Sequence, residues 1–444
     1  MLGMSLLRKY AVVALLTITG RHYRKELRTI ELIDSGEVPL KDFVEESLRS
    51  LVTYAKDKVP HYSVSLRGVD DPVTHFDRIP VLRRSFLQNH VRELISTEIE
   101  GMRVITGTTG GSTARPVRFY RDMRSYRWGK ATEIFYYSRF LGVDLLEAKK
   151  VVLWGSASEL LDGIPFLSRI AHFVDGTTYF NAYLLDERLM ERILRRLDYY
   201  RPDILRGLPH FLAAVAEYAL RRGIKAFRPK VVISTGETLT ERRRNIIEEV
   251  FGRVYDFYGS REVPSIAGEC ERGSLHLFAF NNLVEILDDR GRVVPAGGLG
   301  NIVVTSLHNY AMPLIRYEIG DVARAVEGGC GCDSILPVMG RVEGRITEFV
   351  VRRDGSMLGG EFFEGVFRVE DWVGEFQVIQ EDLDTLRILV APKEGKRPSL
   401  QRVERKVRSV LGDVTLRWEF VDRIPRPPSG KFMYVVSKVR SDLV

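Results

Sequence analysis

Near its C-terminus the chain reads Pro425-Arg426-Pro427-Pro428-Ser429-Gly430-Lys431. The prolines stiffen the approach, the glycine gives a hinge, and Lys431 carries one ammonium on a long stem. Such a loop can grip a phosphate or a carboxylate, although a Ser-Gly-Lys turn by itself is equally a solvated surface feature. Far upstream lies Thr106-Gly107-Thr108-Thr109-Gly110-Gly111-Ser112-Thr113-Ala114-Arg115-Pro116. Here Gly110 and Gly111 let the backbone approach an anion closely, while N–H groups and the hydroxyls of Thr109, Ser112 and Thr113 can donate to phosphate oxygens. No Gly-Lys-Ser/Thr follows at the spacing of a Walker-type loop, and a flexible turn is the alternative.

Two further turns have residue types that suit a nucleotide. Tyr258-Gly259-Ser260-Arg261-Glu262 follows an apolar run at 254–257. Its aromatic face can stack on a base, and Glu262 can hold a magnesium ion that bridges phosphates. Ser234-Thr235-Gly236-Glu237 ends another apolar run, the position at which α/β sheets present ligands. In Ile315-Arg316-Tyr317-Glu318-Ile319-Gly320-Asp321 the aspartate can accept both hydroxyls of a ribose, or merely cap its own turn. Cys270, His276, Cys330 and Cys332 form a different set, Cys-x5-His and then Cys-Gly-Cys. A one-residue spacing strains a disulfide and suits metal ligation, so the set reads as a closed, structural zinc site; three reduced cysteines beside a surface histidine are the other reading.

The elements that must position these residues alternate. Apolar runs at 151–154, 230–234 and 254–257 are expected strands, and 184–197, 211–222 and 241–251 have helical period. Strand–helix alternation gives an α/β domain with a mainly parallel sheet. Residues 40–95 read as helical with a break at Val59-Pro60-His61-Tyr62. From 275 to 326 the texture becomes short strands and Gly-rich turns, a β-rich subdomain. Beyond 345 a smaller α+β unit follows: strand 349–352, helix 361–367, strands 376–380 and 385–391, helix 400–411, and a last strand pair. The expected domains are therefore 1–344 and 345–444. Trp128, Tyr136 and Tyr137 either line a pocket behind the glycine-rich loop or pack the core. His172, His210 and His308 have no partner at catalytic spacing, and Arg195-Arg196 and Arg242-Arg243-Arg244 read as solvated helix faces.

With 444 residues, 45% hydrophobic and 28% charged, the chain has ample material for two cores and no low-complexity tract or repeat. A formal charge of +7 suits small polyanions and, without any nucleic-acid motif, argues against DNA or RNA. The apolar stretch at 10–19 is too short to span a bilayer and has no Ala-x-Ala site after it. It reads as a packed helix, with weak association to a membrane surface as the alternative. A cytoplasmic protein is expected, and oligomeric state is open, a homodimer included.

The order and spacing of these segments resemble the adenylate-forming superfamily, specifically its phenylacetate–CoA ligase and capsule-biosynthesis (CapK-like) branch. The resemblance covers nearly the whole chain, including Val59-Pro60-His61-Tyr62, Ile79-Pro80-Val81-Leu82 and the Pro-Pro-Ser-Gly-Lys tail. It implies a large N-terminal α/β domain with a β-rich subdomain and a small mobile α+β C-terminal domain. It also implies ATP-dependent activation of a small carboxylic acid to an acyl-adenylate, then transfer to a thiol, coenzyme A. A non-CoA acceptor in polysaccharide or cofactor assembly, or a non-catalytic nucleotide-binding homologue, is the alternative. By the same resemblance Thr109, Gly110, Gly111, Ser112 and Thr113 with Gly236, Glu237, Gly259 and Ser260 would line the nucleotide site. Tyr258 would contact adenine, Glu262 magnesium, Asp321 the ribose and Arg345 the nucleotide. Lys431 would stabilise the adenylation transition state, and Glu348 would be the hinge. The branch also resembles this chain at its Cys/His set. Three departures stand out: Ala114 for glycine, Arg261 for threonine and Glu348 for aspartate.

Overall fold

In the computed structural model the described residues are 2–18, 22–108, 118–154, 170, 172–182, 186–345, 349–353, 357–367, 369–425 and 433–439. An eight-stranded mixed sheet forms the centre. Five of its strands, Thr177–Asn181, Lys150–Trp154, Ile204–Gly207, Val231–Thr235 and Val254–Tyr258, lie side by side and parallel. Ala267–Glu269, Leu275–Leu277 and Val338–Met339 then follow beyond Val254–Tyr258 in that order, each antiparallel to the strand before it. Every residue of Val231–Thr235 is buried, the mark of a strand covered on both faces.

The helices covering this sheet start where the sequence supplies caps. Asp122 accepts from Ser125 N at 2.7 Å to begin Met123–Arg139, Asp186 caps Glu187–Tyr200, and Thr240 caps Glu241–Phe251. Pro209–Arg222 opens on proline and stops at Gly223, φ +65°. One face of the sheet buries Ile204, Ile233, Tyr255 and Phe257 against Trp128, Phe135 and Tyr136 of the Met123–Arg139 helix. The other buries Leu205, Val232 and Val254 against Phe211, Val215 and Ile247. The first helix, Leu2–Ile18, joins the former core through Val12 and Leu16, and Lys9 pairs with Asp144 at 2.6 Å. Among the described residues no helix is long and apolar enough to cross a membrane.

A four-stranded antiparallel sheet, Asn282–Leu287, Leu299–Ser306, Tyr317–Arg324 and Val342–Arg345, packs on the N-terminal segment. Helix Leu40–Lys58 breaks as expected at Val59, but 66–95 is mostly turns with short helical pieces. Pro72 and Pro80 deny the backbone donors a continuous helix needs, and Leu82 instead exchanges hydrogen bonds with Arg316 and Glu318 beside the Tyr317–Arg324 strand. At the C-terminal end Thr415–Phe420, Thr385–Pro392, Val373–Asp382 and Val435–Ser437 form a sheet in that order. Helices Gly360–Phe367 and Gln401–Leu411 pack on its core. The two last strands are thus not a pair: each runs parallel to a central strand, on opposite edges.

Candidate functional site

A cavity of about 460 Å³ opens where the parallel strands end. It is lined by Thr235, Gly236 and Glu237 after one strand, and by Tyr258, Gly259, Ser260 and Glu262 after the next. Asp321 from the antiparallel sheet and Met433, Tyr434 and Val435 from the C-terminal unit complete it. Strand carboxyl ends are where open α/β sheets bind ligands.

Tyr258 is the last residue of its strand, and its phenol donates to Asp321 Oδ2 at 2.8 Å. Asp321 follows Gly320, φ +91°, a conformation that favours glycine, and pairs in register with the backbone of Arg345. Upstream, Arg316 has φ +46° and is held by Glu285 at 2.9 Å through two nitrogens and by the Asp77 and Ile79 carbonyls. Tyr62 donates to Pro313 O and accepts from Ile315 N, both at 3.1 Å. The strand carrying Asp321 is therefore fixed by the N-terminal helices.

Glu262 is 3% exposed, and its Oε1 accepts from Arg84 at 2.9 Å and Tyr317 at 3.3 Å. Oε2 has no hydrogen-bond partner among the described residues, so one carboxylate oxygen is available, enough for a magnesium ion whose remaining ligands are phosphates and water. A Cβ on Gly259 would sit 2.8 Å from Ser265 N, so that turn requires glycine. Arg261 donates to Thr108 O at 3.2 Å, joining the turn to the strand that precedes the glycine-rich loop.

Of the residues expected in the site, Gly236, Glu237, Tyr258, Gly259, Ser260, Glu262 and Asp321 line this one cavity. Thr109, Gly110, Gly111, Ser112, Thr113, Ala114, Glu348 and Lys431 lie outside the described residues, as does the side chain of Arg345.

One open alternative resolves and two expectations need correction. Trp128, Tyr136 and Tyr137 are at most 6% exposed and belong to the core. Their helix does face the cavity, through Tyr126, Gly129, Lys130 and Glu133. His210 has a partner after all, Glu237 at 2.7 Å, because the helix opening at Pro209 runs beside the Gly236 turn. Arg243 and Arg244 are not a solvated face. Arg243 is 7% exposed, lines the cavity and stacks 5.4 Å from the Tyr434 ring; Arg244 binds Glu269 at 2.8 Å. Three consecutive arginines on a helix point in three directions, and only Arg242, 45% exposed, is the solvated one.

Sequence reading also missed Arg84, Arg121 and Arg206. A lone arginine inside the otherwise apolar strand Ile204–Gly207 was the available signal for Arg206. Asp256 lines the cavity too, its carboxyl pushed up to about 7 by burial and by neighbouring Glu269.

The Cys/His set converges. Four ligand atoms of Cys270, His276, Cys330 and Cys332 lie within 4.8 Å of one another. Cys270 and Cys330 sulfurs are 3.6 Å apart, and Cys332 Sγ is 3.3 Å from His276 Nε2. A tetrahedron with Zn–S of about 2.3 Å has edges of roughly 3.7 Å. His276 Nδ1 donates to Leu336 O at 3.1 Å, which leaves Nε2 as the inward lone pair. Chemistry and spacing both fit zinc.

Comparison with known proteins agrees with this architecture. Residues 350–438 match the CapK C-terminal domain. The chain is 24% identical to Protein CapK of Staphylococcus aureus, over 95% of this chain and 93% of that protein. It is 24% identical to phenylacetate-coenzyme A ligase of Thermus thermophilus, over 87% of each. A crystal structure of 2-hydroxyisobutyryl-CoA ligase in the postadenylation state with 2-HIB-AMP superposes with a TM-score of 0.65 at 18% identity, over 89% of both chains. The chain thus shares its fold with that 2-hydroxyisobutyryl-CoA ligase. Its similarity to Protein CapK and to phenylacetate-coenzyme A ligase extends along nearly the full length.

Proposed function

We propose that this protein activates a carboxylic acid with ATP and passes the acyl group to a thiol, coenzyme A. The observation that carries the reading is the convergence of Tyr258, Glu262, Asp321 and residues 433–435 on one cavity at the strand ends. In the first half-reaction a carboxylate oxygen bonds to the α-phosphorus of ATP as the bond to pyrophosphate breaks. Asp321 would accept the ribose hydroxyls, oriented for that by Tyr258. Glu262, held by Arg84, would offer its second oxygen to magnesium, which supplies charge neutralisation along the phosphates. The glycine-rich loop with Ser112 and Thr113 would hold the β- and γ-phosphates.

Lys431 would offset the charge that develops between carboxylate and phosphate. Met433, two residues further on, lines the cavity, and a two-residue span is at most about 7 Å of chain. The large unit would comprise residues 1–344 and the small one 345–444, turning at Glu348 with Arg345 on the nucleotide side. Rotation would withdraw Lys431 and admit the thiol, whose sulfur bonds to the acyl carbon as AMP leaves and its proton passes to solvent. The cysteine–histidine set would hold a structural zinc ion remote in role from either step.

ATP–pyrophosphate exchange over a panel of carboxylic acids tests the first half. Acid-dependent exchange that Lys431→Ala abolishes in a folded protein is expected; ATP binding with no exchange for any acid would contradict the reading. The mass of the product formed with coenzyme A present tests the second half.

A further inference from the structure

One wall of the cavity is built from charged side chains. On the Met123–Arg139 helix, Lys130 donates to Glu133 Oε2 at 3.2 Å. From the strand opposite, Arg206 donates to Glu133 Oε1 at 2.5 Å. All three line the cavity and keep between 21% and 28% of their side-chain exposure. Burial disfavours an ionised Glu133, but Lys130 and Arg206 outweigh it and hold its carboxyl at about 2, so the group is fully charged at neutral pH. Two cations share one carboxylate, and both carboxylate oxygens are engaged. Glu133 is the one hydrogen-bond acceptor of Lys130 among the described residues, so the ammonium has donors to spare. A further cation, Arg121, lines the same cavity with its Nε buried and lacking a hydrogen-bond partner among the described residues.

Among the described residues none of the cavity's other acidic groups is hydrogen-bonded to this wall. Glu262 is engaged by Arg84, Glu364 by Arg242 and Glu343 by Arg324, while Glu237 shares a hydrogen bond with His210. Asp321 accepts from Tyr258, and burial with Glu269 beside it favours the neutral form of Asp256. An odd charge cluster is a poor way to fasten a helix to a sheet, because desolvation offsets most of its attraction and the adjacent Phe135, Tyr136 and Phe257 already pack there. It is a good way to receive an anion, which gains charge-assisted hydrogen bonds.

We infer that this wall receives a second carboxylate on the acid being activated, making the substrate a short dicarboxylic acid rather than an aryl or alkyl monocarboxylic one. The inference rests on the acid-activating reading above and adds the substrate class, with Lys130 as the specificity-determining residue. An apolar tail in the same place would strip water from the ammonium and leave it buried with too few acceptors.

Pyrophosphate exchange by the full-length chain with malonate, succinate and glutarate, against phenylacetate and isobutyrate, tests it. At least one dicarboxylate is expected to exceed both monocarboxylates in kcat/KM by about tenfold or more, the worth of one hydrogen bond to a charge. Lys130→Met should shift that ratio by about tenfold or more toward the monocarboxylates, and Lys130→Arg should restore it, with melting curves confirming that both variants fold. Higher exchange with the monocarboxylates, or an equal loss for every acid in Lys130→Met, would overturn the inference and leave acid activation standing. Exchange with none of the acids, while ATP still binds, would overturn acid activation and this inference together.

Discussion

Asp321 and Glu262 illustrate how a ligand-ready carboxylate is held. Each has a neutral or cationic donor on one oxygen, Tyr258 for Asp321 and Arg84 for Glu262, which fixes its orientation before any ligand arrives. Losing a hydrogen bond to a charged group costs about 1.5–3 kcal/mol. Asp321→Ala is therefore expected to raise the KM for ATP by roughly tenfold to a hundredfold, measured by exchange, with a smaller change in kcat. A lowered kcat at unchanged KM would mean that Asp321 acts in the chemical step instead.

Asp256 gives a pH signature. Its folded-state carboxyl titrates at about 7 against an ordinary 3.8. Between about pH 4 and pH 7 the folded chain retains a proton that the unfolded chain has lost, so this group's contribution to stability falls as pH rises through that window. Asp256→Asn removes the dependence. The Tm advantage of the variant over the native chain should widen steadily from pH 4 to pH 7; parallel curves would contradict the assignment.

At the scale of elements, the strands and helices around the central sheet were readable because both faces are covered. Continuous apolar strands such as Val231–Thr235 then alternate with capped helices. The segment 66–95 was not, since its apolar residues pack singly from turns and leave no period to read. Facing was the other failure. No local pattern tells which side of the Met123–Arg139 helix meets the cavity, and the aromatic side is the core while Lys130 and Glu133 form the wall. Likewise the His210–Glu237 and Arg243–Tyr434 contacts join residues far apart in sequence, which no local pattern reports.

The cysteine–histidine set was legible because ligand type and spacing are local. It brings together Cys270 before the strand Leu275–Leu277, His276 on that strand and the cysteines of the loop before Val338–Met339, so a bound ion would clamp the antiparallel edge of the large sheet. One zinc ion per chain is expected by elemental analysis, lost in Cys332→Ser. The Tm should drop by several degrees on chelation, because ligation contributes directly to folding. A full complement of three free thiols with no bound metal would contradict the assignment.

For the whole molecule, contacts between the C-terminal unit and the rest at the cavity, among the described residues, include the polar pairs Arg242 with Glu364 at 3.3 Å and Arg243 over Tyr434. Such contacts suit a junction that forms and breaks, whereas the cores on either side are apolar and separate. Desolvated cation–π pairs are worth about 2 kcal/mol. Arg243→Met should therefore reduce pyrophosphate exchange by roughly thirtyfold while thioester formation from a supplied acyl-adenylate changes less. Equal loss in both assays would indicate a purely structural role. The most direct test of the central claim is acid-dependent ATP–pyrophosphate exchange in the native chain and in Lys431→Ala. The account predicts exchange in the first and a loss of at least about a hundredfold in the second, with an unchanged melting curve. Exchange that survives removal of the lysine ammonium would contradict it.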